Sequence, residues 1–437
     1  MPAELVAVLA KSGVTAPFPI QALTLVESLA GRDVLGRGRT GSGKTLAFAL
    51  PVVAALAGGR SRPGAPRALI LAPTRELAAQ ITQVISPLAA AFHLRCTAIF
   101  GGVKPGPQLA ALRSGVDIVV ACPGRLLDHH RAGALKLNAV RVVVVDEADH
   151  MADQGFLPSL RRILQAAPED AQQLWFSATL DKDVAGLVAQ HMRNPVTRTV
   201  AELEPSAAAG VASHLVLHVP EEDRVAIVAQ LAAGARRCLV FCRTKSRARR
   251  LCRQLRNLGL SSVELHGDLA QGVRARNLAA FASGDAPVLV ATDIAARGIH
   301  VDDVDFVVHA DPPVEHKAYV HRSGRTARAG ASGAVVTLAG PDQAAHVAGL
   351  LRKAGVRARA ERVTAQTALA GLMGFEPRQA LRPAPPAAEK QAVTAAAAQP
   401  GPQRSRGHQR PNRPSAGAPE RDRETAARRT RRRRSRA

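Results

Sequence analysis

Hydrophobic positions along this chain fall into two alternating kinds of run. Short, mainly apolar runs rich in Val, Ile, Leu and Ala occupy 68–71, 117–121, 140–145 and 174–177, with a further one at 33–35. Between them lie segments in which apolar residues recur every three to four positions, as at 46–57, 76–88 and 157–166. The second period predicts helices, and a short continuous apolar run predicts a strand covered on both faces. Strand and helix in alternation predict βαβ units and hence a parallel sheet. The pattern stops near 194–195, passes the small, acidic stretch AELEPSAAAG at 201–210, and resumes with strand-like runs at 238–241, 288–291, 305–309 and 334–338. Two α/β domains of comparable size are therefore expected, over 1–200 and 215–375, with a linker at 201–214. No short-period repeat is present; two similar units would be a duplication at the scale of a domain.

Composition narrows the class. At 437 residues, two or three domains are expected from a prior of roughly 150 residues each. Hydrophobic residues make up 46% and aromatics only 3%, so Ala, Val and Leu must fill the cores. Mean hydropathy is −0.02, and no apolar run approaches the ~20 residues of a membrane span. The opening residues, MPAELVAVLAKSG, carry an acid and no basic region, so no signal peptide is expected. Five cysteines without a CxxC pair exclude a disulfide scaffold. Cys238 and Cys242 fall in a strand-like run and read as core hydrophobes in a reducing cytoplasm rather than as metal ligands.

Charge changes the picture more. Lys and Arg number 59 against 35 Asp and Glu, a net of +24, which attracts polyanions, nucleic acid first. The excess is uneven: residues 376–437 hold 16 basic against 5 acidic residues, nine prolines and no Phe, Tyr or Trp. Such a segment cannot bury enough apolar area to offset its ordering entropy, so a disordered basic tail is expected over 376–437, tethering RNA by charge rather than by base stacking.

Candidate chemistry begins at Gly38, Arg39, Thr40, Gly41, Ser42, Gly43, Lys44 and Thr45, a GxxxxGK[ST] pattern between a strand-like run and a helical one. Glycines let backbone N–H groups converge on phosphate oxygens, and the helix N-terminus adds partial positive charge. Lys44 is placed for the β- and γ-phosphates and the Thr45 hydroxyl for Mg2+. The next cluster, Asp146-Glu147-Ala148-Asp149, follows the run RVVVV, 102 residues beyond Lys44. A carboxylate at the carboxyl end of a buried strand sits beside a phosphate loop in this architecture. Asp146 can hold Mg2+, and Glu147 can orient or deprotonate an attacking water.

These two motifs, together with Ser177-Ala178-Thr179 and the run His321 to Arg328 (HRSGRTAR), resemble a DEAD-box ATP-dependent RNA helicase of superfamily 2, in the family's order from about residue 13 to 330. The resemblance implies two tandem RecA-like domains, with ATP and Mg2+ as cofactors and RNA as partner. Pro17 to Gln21 resembles the Q motif, so Gln21 is expected to read the adenine edge. Val14 and Phe18 depart from that motif: Phe18 either supplies the adenine-stacking ring or is core, and core is the reading taken. Ser177 and Thr179 are expected to link the acids to the second domain. Arg325 and Arg328 are expected to act as arginine fingers, with His321 reaching the catalytic acids and Arg322 their neighbourhood. Arg297 is expected on the nucleotide side. His300 replaces a usual ribose-binding Asp, and Ala327 a usual Gly, a mild change unless φ is positive there.

The same resemblance places RNA contacts at Pro73, Thr74 and Arg75, at Gly101 and Gly102, and at Pro123, Gly124 and Arg125, with Cys122 replacing a Thr. In the second domain it places them at Arg243, Thr244, Gln271, Arg274 and Thr292. Glycine amides, hydroxyls and guanidiniums bind the backbone and carry no base code. The expected activity is local unwinding or remodelling of RNA duplexes or of ribosomal or messenger RNA–protein complexes, by cleft closure. Two alternatives stay open: an ATP-gated RNA clamp without strand separation, and a DNA helicase.

Overall fold

The computed structural model describes residues 1–38, 42–200, 212–296, 304–327, 333–373 and 378–382. Its backbone is built on two seven-stranded sheets. The first comprises β1 (Val34–Arg37), β2 (Ala68–Leu71), β3 (Cys96–Ile99), β4 (Ile118–Ala121), β5 (Val142–Asp146), β6 (Gln172–Ser177) and β7 (Val196–Thr199), in the order β3-β4-β2-β5-β6-β1-β7. The second comprises β8 (Ala212–His218), β9 (Cys238–Cys242), β10 (Ser262–Leu265), β11 (Val288–Thr292), β12 (Phe306–His309), β13 (Gly333–Ala339) and β14 (Arg359–Arg362), in the order β10-β11-β9-β12-β13-β8-β14. Every pairing between these strands is parallel, as the unbroken apolar runs predicted. The two orders are the same pattern repeated, with two RecA-like α/β lobes as the result.

Each sheet is sandwiched between two apolar layers. In the first lobe, Val142 and Val144 point into one layer with Phe48, Leu56 and Ile81, while Val143 and Val145 point into the other with Leu126, Leu160 and Trp175. Alternate side chains of a strand face opposite sides, so a two-sided core needs every residue of β5 to be apolar up to its end. The chain breaks that rule at Asp146, where chemistry begins. At the opposite, amino ends of the strands, two buried acids tie the connections together. Asp33 accepts from Gln173 N and Arg193 N at 2.9 and 2.6 Å. Asp117 accepts from Ser61 N, Arg95 N and Arg67 Nη2 at 2.8, 3.0 and 2.9 Å.

The expected linker at 201–214 overlaps β8, which starts at Ala212 because it pairs in register with β13 from Gly333. The tail expected from 376 also starts later. Arg378 N and Gln379 N donate to Ala233 O at 2.7 and 3.1 Å, and Arg382 N donates to Leu258 O at 2.9 Å, so polar 378–382 is held by backbone bonds that composition does not announce. The rest of the predicted tail, 383–437, lies outside the described residues, as do 201–211 of the linker. Among the described residues no helix is long and apolar enough to cross a membrane. The five cysteines are unpaired, and burial pushes the Cys238 and Cys242 thiols well up, as suits core residues.

Candidate functional site

Residues Met1–Pro383 form one compact unit, and its chemistry-bearing side chains gather where the carboxyl ends of both sheets approach each other. Lys44 opens the helix Lys44–Leu56 directly after Gly43, whose φ of +84° places it in the left-handed region. A side chain there is strained, and its Cβ would lie 2.7 Å from Gln21 Nε2 and 2.7 Å from Phe18 Cδ2. Lys44 is buried, Thr45 partly so, and the buried Ser42 hydroxyl has no hydrogen-bond partner among the described residues. Arg39, Thr40 and Gly41 of the same loop lie outside the described residues.

Gln21 staples this loop to the helix Pro19–Leu29. Its Oε1 accepts from Phe18 N at 3.0 Å and its Nε2 donates to Gly43 O at 2.8 Å. Each end of a carboxamide can make a further bond, so the adenine edge stays within its capacity. Phe18 corrects the reading taken from sequence. It is 50% exposed, because as the residue preceding Pro19 it adopts extended backbone (φ −68°, ψ 159°) and turns its ring toward Gly43 instead of inward.

Asp146 ends β5 and Glu147 follows in a left-handed conformation, φ 52° and ψ 54°, an uncommon state for a residue with a side chain. Both acids are buried. Burial pushes the Asp146 carboxyl up to about 7, with Lys44 opposing and Glu147 and Asp149 adding to the rise. Burial acts on Glu147 in the same sense, but a hydrogen bond from His150 and the charges of Lys44 and Arg325 outweigh it and hold that carboxyl below the ordinary glutamate range. Lys44 belongs to the first lobe and Arg325 to the second, so one acid feels cations from both.

The remaining acid of the tetrapeptide is structural. Asp149 Oδ2 accepts from Thr179 N and Thr179 Oγ1, both at 2.9 Å, while its own N–H donates to Ser177 Oγ at 3.2 Å. Ser177 Oγ in turn donates to Thr179 O at 2.7 Å. Ser177 and Thr179 are thus joined to Asp149 within the first lobe. Two residues on, Asp181 pairs with Lys317 of the second lobe at 3.7 Å.

The second lobe brings Arg325 and His321 to this region, each with interacting partners, and both side chains line a cleft with Phe241 and Asp293. Arg322 does not reach the catalytic acids. It is buried, its Nη2 donates to Asp293 Oδ2 at 2.7 Å, its Nη1 to Asp311 O at 2.8 Å, and its guanidinium lies 5.0 Å above the Phe241 ring. A buried guanidinium with a carboxylate in its own lobe has no charge to spare for another. Arg297, His300 and Arg328 lie outside the described residues.

The residues expected to meet RNA divide into four sets. Gly124, Arg243 and Thr244 are exposed, and Thr244 also caps the helix Lys245–Asn257 through Arg247 N at 3.2 Å. Pro73, Thr74, Pro123 and Thr292 are buried near helix starts or at a strand end; Thr74 accepts from Leu77 N at 3.2 Å. Arginines beside first-lobe loops form the third set: Arg125 Nη1 donates to Val103 O at 3.3 Å. Arg75 lies over Gly101 and Gly102, and the missing side chain at Gly102 is what admits its guanidinium. Gln271 and Arg274 form the fourth set. Gln271 Nε2 and Arg274 Nε both donate to Glu76 Oε1, at 3.0 and 2.8 Å, and Arg274 Nη1 to His266 O at 3.3 Å. Arg274 was expected to bind phosphate; it is buried against an acid of the other lobe, which outcompetes an exposed phosphate for it.

Sequence reading passed over Glu76, His150 and Gln154. His150 Nδ1 lies 3.0 Å from Glu147 Oε2, and Gln154 Nε2 lies 2.7 Å from His150 Nε2. The available signal was spacing: 147, 150 and 154 share one helical face.

Comparison with known proteins agrees with this geometry. The DEAD/DEAH box helicase family matches residues 18–187, and the helicase conserved C-terminal domain matches 223–330. ATP-dependent RNA helicase-like protein DB10 of Nicotiana sylvestris is 38% identical over 356 residues, spanning 80% of this chain and 58% of that protein. DEAD-box ATP-dependent RNA helicase 20 of Arabidopsis thaliana is 37% identical over 388 residues, 85% of this chain and 76% of that one. The chain therefore spans well under two thirds of the tobacco relative's length. The solved structure of S. cerevisiae Dbp5 bound to RNA and ADP BeF3 superposes with a TM-score of 0.72 at 26% identity, over 84% of this chain and 94% of that one.

Proposed function

Because this chain belongs to the DEAD-box family of ATP-dependent RNA helicases, we propose that it is an RNA-dependent ATPase that couples hydrolysis to local separation of RNA duplexes or remodelling of ribosomal or messenger RNA–protein complexes. The observation that carries this reading is Glu147, a buried acid held ionised chiefly by His150 of its own helix and, to a lesser degree, by Lys44 of the first lobe and Arg325 of the second. A base so placed is fully assembled only when the lobes meet, which is how a nucleic acid lying across both can control hydrolysis.

Mg2+ fits the residues present. Thr45 and Asp146 offer hard oxygens, as that ion prefers, and burial raises the Asp146 carboxyl despite the opposing charge of Lys44, so a further cation there would favour its ionised form. When bound there it would neutralise phosphate charge. The chain's own groups do the rest. Gln21 faces adenine, Lys44 binds the β- and γ-phosphates, and the Ser42 hydroxyl has an unused bond for a phosphate oxygen. Glu147 orients the attacking water and takes its proton. Arg325 meets the terminal phosphate as charge moves onto the leaving oxygen, and the family implies the same role for Arg328. Arg75 and the exposed Arg243 and Thr244 serve the RNA backbone, so recognition is by phosphate and 2′-hydroxyl.

The test compares stimulation of ATPase turnover by RNA and by DNA, and displacement of short and long strands. RNA-selective stimulation with displacement of short duplexes is expected. Equal stimulation by DNA overturns the assignment of RNA, and turnover without displacement indicates a clamp. Glu147→Gln is expected to abolish turnover while keeping ATP-dependent RNA binding; wild-type turnover in that variant overturns the role of Glu147.

A further inference from the structure

Glu147 has two carboxylate oxygens, and the chain commits one of them. His150 stands three residues on, in the first turn of the helix Ala148–Asp153, with its Nδ1 3.0 Å from Glu147 Oε2 and its ring buried. The other ring nitrogen, Nε2, faces Gln154 Nε2 at 2.7 Å. An amide nitrogen only donates, so His150 Nε2 accepts, and the ring hydrogen must sit on Nδ1. The sequence Gln154 to His150 to Glu147 is therefore a directed relay of donors ending on a single carboxylate oxygen.

Two features make this more than a local bond. Glu147 adopts left-handed backbone, so its side chain is launched from a conformation that neighbouring structure must hold. A carboxylate on three freely rotating bonds would spread its oxygens over several positions, whereas a base needs one oxygen held on the water it activates. We propose that His150 is a positioning residue for hydrolysis: with its ring held by Gln154 so that Nδ1–H faces the acid, it pins Glu147 Oε2 and leaves Oε1 to accept the proton of the attacking water. The inference rests on Glu147 being the catalytic base.

The experiment uses the full-length protein and measures kcat and KM for ATP in saturating RNA, with thermal unfolding as a control on folding. His150→Ala is expected to lower kcat about 10-fold with KM for ATP within about twofold of wild type, since the lost contact orients the base and touches no substrate. His150→Asn places an amide N–H near the lost Nδ1–H and should return kcat to within about threefold of wild type, whereas in His150→Gln the amide lies one bond further out and should not. Imidazole added to His150→Ala is expected to raise its kcat, a response that lost packing alone would not give. Wild-type kcat in His150→Ala overturns the proposal, and so does equal impairment of folded Asn and Gln variants. Should His150→Ala unfold, the Asn–Gln comparison decides. Glu147→Gln run alongside separates the two failures: if it keeps turnover the catalytic reading itself fails, whereas a dead Glu147→Gln beside a fully active His150→Ala removes only the positioning role.

Discussion

Arg274 donates from Nε to Glu76 Oε1 at 2.8 Å, joining residues 198 positions apart and two different sheets. Gln271 reaches the same oxygen at 3.0 Å and also accepts from Arg75 at 3.4 Å. Glu76 and Arg274 are both buried, which is unusual for charged groups and tolerable only because each satisfies the other. This pair belongs to the closed arrangement of the lobes and to nothing else in the chain.

Breaking it should therefore weaken closure without harming either lobe. Removing one partner of a buried ion pair costs about 3–5 kcal/mol, but here only the closed state bears that cost. Glu76→Ala and Arg274→Ala are expected to weaken RNA binding in the presence of a non-hydrolysable ATP analogue by about 100- to 1,000-fold or more, while RNA-free thermal unfolding barely moves. The double variant should be no worse than either single one. A large fall in thermal stability with unchanged RNA affinity would assign the pair to folding instead.

Ala327 gives a second prediction. Its φ is +54°, in the left-handed region where a Cβ collides with the following carbonyl. The exchange of a usual Gly for Ala is thus not mild here, since the condition on φ is met. Ala327→Gly should stabilise the second lobe by about 1 kcal/mol in denaturant unfolding, and Ala327→Val should destabilise it. If Gly instead destabilises, the left-handed assignment of Ala327 is wrong.

Residues that must be apolar for burial or glycine for geometry were legible in the sequence. The run at 68–71 is β2 to the residue because all four side chains are buried, and 157–166 is a helix to the residue because it buries one periodic face. The strands β3, β7, β8, β10 and β14 were missed. Four of them are edges of their sheets, and β8, though paired on both sides, is like them partly exposed, so none needs an unbroken apolar run. The same contrast runs through the site. Gly43, Lys44 and Asp146 carry a pattern set by phosphate chemistry. Glu76 carries none, because its partner comes from another domain and no local period connects the two. Arg322 shows the converse: a motif named it, but only packing revealed that Asp293 and Asp311 had already claimed its guanidinium.

A last prediction concerns pH. His309 ends β12, fully buried, with Nδ1 3.1 Å from Thr337 Oγ1 and its ring edge-on to Tyr319 at 5.0 Å. Its Nε2 has no hydrogen-bond partner. Burial, reinforced by Arg322 and His214, drives its pKa well below the ordinary histidine value. The folded chain keeps this ring neutral while the unfolded chain protonates it near pH 6.5, so below that pH the unfolded state binds the extra proton. The stabilising term is then fully present above about pH 6.5 and declines as pH falls, by up to about 1.4 kcal/mol for each unit until the folded pKa is reached. His309→Gln removes the titrating group. Wild type should lose stability between about pH 6.5 and 5 more steeply than the variant, as read by denaturant midpoints at each pH. Parallel curves would mean that another histidine, or none, carries the acid sensitivity of this lobe.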